Sequence, residues 1–297
     1  MRNKIIAYIP VWGRPEILLE HLLYTNDWYT PFYILSLKDP KYYENMSLIS
    51  MFGHNYTIHE NDFLGAKENF GIKMIESQYP DYEYLIHIGS DDLINPELLH
   101  YYIPEIVKET PFFGVSGCHF HEKVGKKRCV YLPKYNDEHC IGAGRMIHRS
   151  VIEAMNEANE PIYTPSQQSG LDNNSRLNIK RVLGIDDKVI KTGKSAYVLD
   201  LKTNTNINPL TMMEALSDRF VDVQPEWLYQ FFEKRIPSKI SKLLYTSKGF
   251  LECHRLLNNT FKDDRRCFEF INSMHRDIFG ADKYTSFKAF RVVRNRS

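Results

Sequence analysis

Apolar residues up to about residue 209 fall in short blocks whose period alternates between strand and helix. Residues 4–10, apolar without a break from Ile5, read as a strand buried on both faces. Residues 15–23 put Ile17, Leu18, Leu22 and Leu23 on one side of a helix, with Pro15 in its first turn. Residues 31–37 predict a second strand, closed by Lys38-Asp39-Pro40, and residues 56–59 a weak third. A helix over 66–77 carries Phe70, Met74 and Ile75 at helical spacing, and a strand over 82–88 follows. A helix starts at Glu97 and is expected to break or kink at Pro104. Strands are predicted over 112–120 and 129–132, as an antiparallel pair, then over 142–147 and 196–201. A helix is predicted over 150–158, with Ser150 and Glu153 spaced as a capping box, and residues 161–174 read as irregular. Beyond about residue 210 the strand pattern stops, and helices are predicted over 226–232, 238–245, 251–258 and 265–279. The alternation argues for a mostly parallel α/β sheet between two helical layers.

Charge adds an asymmetry. The formal net charge is +1, yet residues 234–297 hold 15 Lys and Arg against 6 Asp and Glu, a net of +9. Residues 1–233 hold 23 against 31, a net of −8. The basic end, with Tyr245, Phe250, Phe261, Tyr284, Phe287 and Phe290 interleaved, suits a polyanion or an anionic surface. A solvated helical face is the plainer alternative. The apolar runs are too short to span a bilayer. The basic then apolar start is cut by Pro10, Trp12 and Arg14 with no small-residue cleavage site, so it reads as a strand. Five scattered cysteines suit a reducing cytoplasm. Cys118, His119, His121, Cys129, His139 and Cys140 lie close in sequence but lack the short CxxC spacing of structural zinc sites. No Walker A, GxGxxG or nucleophile-elbow pattern is present, which disfavours ATPase, dehydrogenase and hydrolase chemistry. Nothing in the pattern bears on oligomeric state.

The chemistry concentrates at Gly89-Ser90-Asp91-Asp92, where an apolar run ends and two carboxylates follow at once. Open α/β folds place ligands at such strand ends. Two acids there can hold a divalent cation, and the cation a diphosphate. A surface turn of Gly, Ser and Asp is an equally common outcome.

Four segments in order resemble a family 2-type glycosyltransferase of the GT-A fold. They are residues 9–18, the Gly65-to-Gly71 stretch, Gly89-Ser90-Asp91-Asp92 in the place of the DxD motif, and residues 142–152. The pattern departs from the family in having Gly89 where the first acid stands. The resemblance covers roughly residues 4–208. It implies a GT-A, Rossmann-like mixed α/β sheet with helices on both faces over residues 1–209. Residues 210–297 would be a basic helical extension that binds the acceptor or a partner.

The resemblance further implies an enzyme that moves a sugar from a nucleotide-sugar donor to a hydroxyl with inversion, using Mn²⁺ or Mg²⁺; the cysteine usage puts it in the cytoplasm. Asp92, more than Asp91, would hold the metal. Pro10 and Trp12 would wall the base, Asp39 would accept from it, and Arg14, Lys67 and Asp91 would complete the donor site. Asp172, in Gly170-Leu171-Asp172, stands nearest the family's catalytic base. Arg145, His148, Arg291 and Arg294 are the expected acceptor contacts. One of Asn204, Asn206 and Asn208 could join the metal shell, although such clusters are more often turn chemistry. Hydroxymethylated DNA would fit the basic end as acceptor. A saccharide or lipid-linked acceptor, or a non-catalytic nucleic-acid-binding protein on a transferase fold, are the rival readings.

Overall fold

Strand β1 (Ile5–Pro10) is buried from Ile5 to Ile9, and the two faces of the main sheet form around it. The structure is a computed structural model. It describes residues 4–60, 63–123, 128–133, 139–192, 196–203 and 219–232, together with Asn206, Leu210, Arg265 and Asn272. β1 pairs in parallel with β2 (Thr30–Ser36) on one side and β4 (Tyr84–His87) on the other. β3 (Asn55–His59) extends the sheet beyond β2. Beyond β4 come β9 (Met146–His148), antiparallel, then β6 (Phe112–Gly114) and β10 (Lys188–Val189). The spatial order is β10-β6-β9-β4-β1-β2-β3.

Alternation along each strand sorts side chains to opposite faces. Ile5, Ala7 and Ile9 of β1, with Tyr33 and Leu35 of β2, meet Leu18, Leu19, Leu22 and Leu23 of helix α1 (Pro15–Leu23). Helices α2 (Tyr42–Phe52) and α4 (Leu98–Val107) complete that layer. Ile6, Tyr8, Phe32 and Ile34 point the other way. They pack under α3 (Leu64–Gln78), α5 (Arg149–Glu157) and α6 (Leu171–Leu183). At Gly71 a Cβ would stand 2.0 Å from Ile34 Cδ1, so α3 crosses β2 closely and a side chain there would have to displace Ile34. The mixed sheet with helices on both faces that the resemblance implies is present.

A second sheet, β12-β8-β7-β11-β5, grows from the end of β4. The chain leaves β4, turns at Gly89–Asp91 and enters β5 (Asp92–Ile94). β5 pairs antiparallel with β11 (Val198–Lys202), and β11 runs parallel to β7 (Cys118–Glu122). β7 and β8 (Cys129–Leu132) form the expected antiparallel pair. β12 (Val221–Val223) closes the sheet, and Leu228 of α7 (Pro225–Tyr229) packs onto Leu199 and Leu201.

Several elements differ from expectation. The stretch 112–120 is not one strand: β6 and β7 belong to different sheets, with residues 115–117 between them. α4 continues through Pro104 to Val107. β12 lies beyond residue 210, where no strand was expected. α2 and α6 occupy stretches that the pattern left unassigned or irregular. The helices predicted over 238–245, 251–258 and 265–279 lie outside the described residues, apart from Arg265 and Asn272. Among the described residues no helix is long and apolar enough to cross a membrane.

Candidate functional site

Parallel β1, β2 and β4 end at the same edge of the sheet, so the loops after them converge. A cavity of about 360 Å³ lies there, walled also by the 139–145 loop, the start of α6 and β11. Of the expected site residues it gathers Pro10, Trp12, Arg14, Lys67, Asp91, Asp92, Arg145 and Asp172.

The β1 end of the cavity is shaped by a turn with Gly13 at φ 63° and Arg14 at φ 45°. Asp39 holds that turn from behind. Its Oδ2 accepts from Gly13 N at 2.9 Å and Asn45 Nδ2 at 2.9 Å, and its Oδ1 accepts from Lys41 N at 2.8 Å. Asp39 is buried and outside the cavity lining, so it acts through Gly13. Burial pushes its carboxyl up, against the pull of Gly13 and Asn45. Trp12 is 43% exposed and available as a stacking wall. Lys67 lies 5.9 Å from the Trp12 ring centre and donates to Val11 O. Burial lowers the Lys67 ammonium to about 8, with Asp39 and Glu68 opposing.

The acidic turn is the electrostatic centre. Asp91 Oδ2 accepts from Arg14 Nη1 at 3.0 Å and from Asn206 Nδ2 at 2.8 Å. Burial would raise Asp91, but Arg14 and Lys202 outweigh it and hold the carboxyl below the usual range. Asp92 goes the other way: burial, Asp200 and Asp91 raise it well above that range. Its Oδ2 accepts from Gly89 N at 2.7 Å. Asp200 faces Asp92 in the β5–β11 register and pairs with Lys202 Nζ at 2.6 Å. Burial and Asp91 push Asp200 to about 6, with Lys202 opposing. Asp200 Oδ1 is buried without a hydrogen-bond partner. From α1, His21 Nδ1 meets the Asp92 carbonyl at 2.7 Å. Burial lowers His21 to about 4, so the ring is neutral and this nitrogen donates.

Two adjacent carboxylates, one with a free buried oxygen and the other pushed towards its protonated form, fit a hard divalent cation. Asp92 and Asp200 are the residues that would hold it. Among the described residues, only His139, Asp186 and Asp187 bring three metal-type ligand atoms within 4.8 Å of one another. Its carboxylates also hold local structure. Asp187 accepts from Cys140 N, and Asp186 from Arg176 and Lys180.

At the far end Asp172 lies in the first turn of α6, and its Oδ2 accepts from Gly142 N at 2.9 Å. A Cβ on Gly142 would stand 2.1 Å from Asp172 Oδ1, so this approach requires glycine. Arg145 fixes the arrangement and is not free for an acceptor. Its guanidinium donates to the carbonyls of Ile141, Cys140 and Asp172 and to Ser175 Oγ, and the residue is 2% exposed. His148 is also not an acceptor contact in this cavity. It pairs with Tyr84 at the opposite end of β4, where its Nδ1 caps α5 by accepting from Ser150 N. Arg291, Arg294, Asn204 and Asn208 lie outside the described residues.

Sequence reasoning missed Asp200, Lys202, Glu68 and His87, which all line the cavity. One signal for the first two was present. In Val198-Leu199-Asp200-Leu201-Lys202 the charges share one face of a strand whose other face is leucine. Glu68 and His87 pair across α3 and β4, with Oε1 and Nε2 3.3 Å apart. Burial would lower His87, but Glu68 outweighs it and the ring is held up at about 9.

No family model matches the chain, and no curated protein matches it. Solved structures overlap it weakly. TarS of S. aureus (residues 1–349) is 12% identical, covering 98% of this chain and 90% of its own, with a TM-score of 0.44. A glycosyltransferase involved in glycosylation of the major capsid of PBCV-1 is 15% identical over 72% of this chain and 98% of its own, at 0.31. The inositol-1-phosphate CTP transferase of T. maritima is 12% identical over 72% and 96%, at 0.39. Overlaps of this size leave the family open, and function rests on the site itself.

The Glu68–His87 pair has a stability signature. A histidine raised from 6.5 to about 9 in the fold stabilises it fully below pH 6.5. That contribution is lost as pH rises through about 9. Lys67, lowered from 10.5 to about 8, acts oppositely but only above pH 8. The denaturation midpoint in urea should therefore fall between pH 6.5 and 8, and Glu68→Gln should flatten that slope. A wild-type midpoint that stays level would mean the pair is not charged in the fold.

Proposed function

We propose that this chain is a nucleotide-sugar-dependent glycosyltransferase of GT-A type that transfers its sugar to a hydroxyl acceptor with inversion. The observation that carries the reading is one cavity. It joins an exposed indole and two cations at the ends of β1 and α3 to the paired acids Asp92 and Asp200, and then to Asp172. A cavity of about 360 Å³ is within the usual range for small-ligand sites.

In this reading Trp12 stacks on the donor base, and Asp39 keeps the 11–14 turn in place beneath it. Arg14 and Lys67 meet diphosphate oxygens; guanidinium suits that contact through its fork of donors. Asp92 and Asp200 hold Mn²⁺ or Mg²⁺, which when bound neutralises charge on the leaving diphosphate. Asn206 supports this by fixing Asp91. Asp172 takes the proton from the acceptor hydroxyl as it attacks the anomeric carbon from the side opposite the diphosphate. Gly142 N–H and the Arg145 bracket hold Asp172 for that task. The acceptor fits best as an anionic polymer, with hydroxymethylated DNA the leading case, because residues 234–297 carry a net +9.

Release of nucleotide from UDP-, GDP-, dTDP- and CMP-sugars, with and without Mn²⁺, tests the reading. Turnover of none of them would sink it. Asp92→Asn keeps an acceptor for Gly89 N–H but removes a repelled charge. It should abolish cation-dependent turnover while leaving the melting temperature unchanged or raised; full activity in the presence of chelator would remove the metal from the scheme.

Asp172→Asn should lower turnover by ~10²-fold or more with donor binding retained, since a positioned base contributes about 10²–10⁴-fold. A change of a few-fold would point to another carboxylate.

If residues 234–297 dock DNA, log affinity should fall by about 0.9 per neutralised phosphate for each log unit of salt. Replacing Arg291, Arg294 and Arg296 with Ala should flatten that slope without altering donor hydrolysis. Binding to anionic liposomes instead of DNA would move the acceptor to a membrane surface, and binding to neither would favour a neutral saccharide.

A further inference from the structure

Beneath the middle of the cavity lies a buried polar cluster with no role in the scheme above. Glu68 of α3 is 1% exposed, and neither of its carboxylate oxygens has a hydrogen-bond partner. His87 Nε2 is likewise without a hydrogen bond, although 3.3 Å from Glu68 Oε1. The ring is walled by Tyr8 at 5.1 Å and Tyr163 at 6.4 Å, whose hydroxyls meet each other at 2.5 Å. A buried ion pair and two buried phenols are a poor choice for packing alone, because apolar groups of similar volume fill a core at lower desolvation cost.

We propose that Glu68 and His87 form the subsite that reads the transferred sugar: His87 donates a hydrogen bond to a sugar hydroxyl, and Glu68 is the positioning residue that fixes its ring. The inference rests on the transferase reading. His87 keeps 13% of its side chain exposed and lines the cavity, and the fields of both Asp172 and Asp92 act on it. It shares that cavity wall with the proposed base and the proposed metal acids, and the transferred sugar would sit in the same space. Glu68, beside the ring, and the field of Asp172 oppose a second anion there, which disfavours a phosphate and favours a neutral hydroxyl.

The test compares affinities of UDP, GDP and dTDP with those of their glucose, galactose, mannose and N-acetylglucosamine conjugates. Wild type, Glu68→Gln, His87→Gln and the double variant are titrated calorimetrically. Wild type should prefer one conjugate over its parent diphosphate. Both single variants should bind the diphosphate within about twofold of wild type and lose the preference by about tenfold or more. The double variant leaves no unpaired charge, so it should regain melting temperature but not the preference. Variants that keep the preference would overturn the proposal. So would variants that lose diphosphate and conjugate affinity equally, as a structural role predicts. If wild type binds no conjugate at all, the transferase reading falls and takes this subsite with it.

Discussion

Three carboxylates meet where the main sheet hands the chain to the second sheet, and their mutual repulsion organises the site. Asp91, Asp92 and Asp200 are all desolvated, and two cations, Arg14 and Lys202, pair with Asp91 and Asp200. Asp92 is left with a backbone N–H and the repulsion of its neighbours. The arrangement also sets the β1 loop. Arg14 sits at φ 45°, a conformation that costs a non-glycine residue roughly 1–3 kcal/mol unless its surroundings hold it. The Asp91 contact does so, and it ties the start of α1 to the end of β4. Asp39, through Gly13, supplies the second anchor.

The central fold was legible because parallel strands buried on both faces leave unbroken apolar runs, as in residues 5–9. What failed was local. Residues 112–120 read as one strand because both halves are apolar, yet the chain changes sheets at Val115-Ser116-Gly117. Pro104 removes a helix N–H, but α4 runs on. Glu105 after it is held by Thr110 Oγ1 at 2.7 Å and Lys188 Nζ at 2.7 Å, so tertiary contacts override the breaker. α6 starts at Gly170 with no side-chain cap, which removed the usual start signal, although Gly184 marks its end.

The site was half legible for a related reason. Asp91 and Asp92 stand out because they interrupt an apolar run, whereas Asp200 acquires its meaning only from strand pairing across more than a hundred residues. Arg145 shows the opposite error. The small residues before it suggested a strand, and the resemblance placed that strand on the acceptor side. Instead Gly142 lets α6 approach, and the buried guanidinium staples the Cys140 and Ile141 carbonyls to the start of that helix. The residue thus bears on Asp172 by holding it, without touching the cavity's contents through its own donors.

Pairing also explains why an added cation suits this cavity. Arg14, Lys202 and His87 each face a carboxylate, and Lys67 donates to a carbonyl. In the proposed scheme a diphosphate would therefore share Arg14 and Lys67 with their present partners, and taking Arg14 over fully would break its pair with Asp91. Breaking a buried pair leaves an uncompensated charge, at a cost of about 3–5 kcal/mol. In the proposed scheme a dication held by Asp92 and Asp200 would avoid this. It would answer the unpaired carboxylate and the free Asp200 oxygen, and would bring positive charge without dismantling Arg14–Asp91. That ion pair would then keep the 11–14 turn fixed to the acids, so the turn and the acids would behave as one unit.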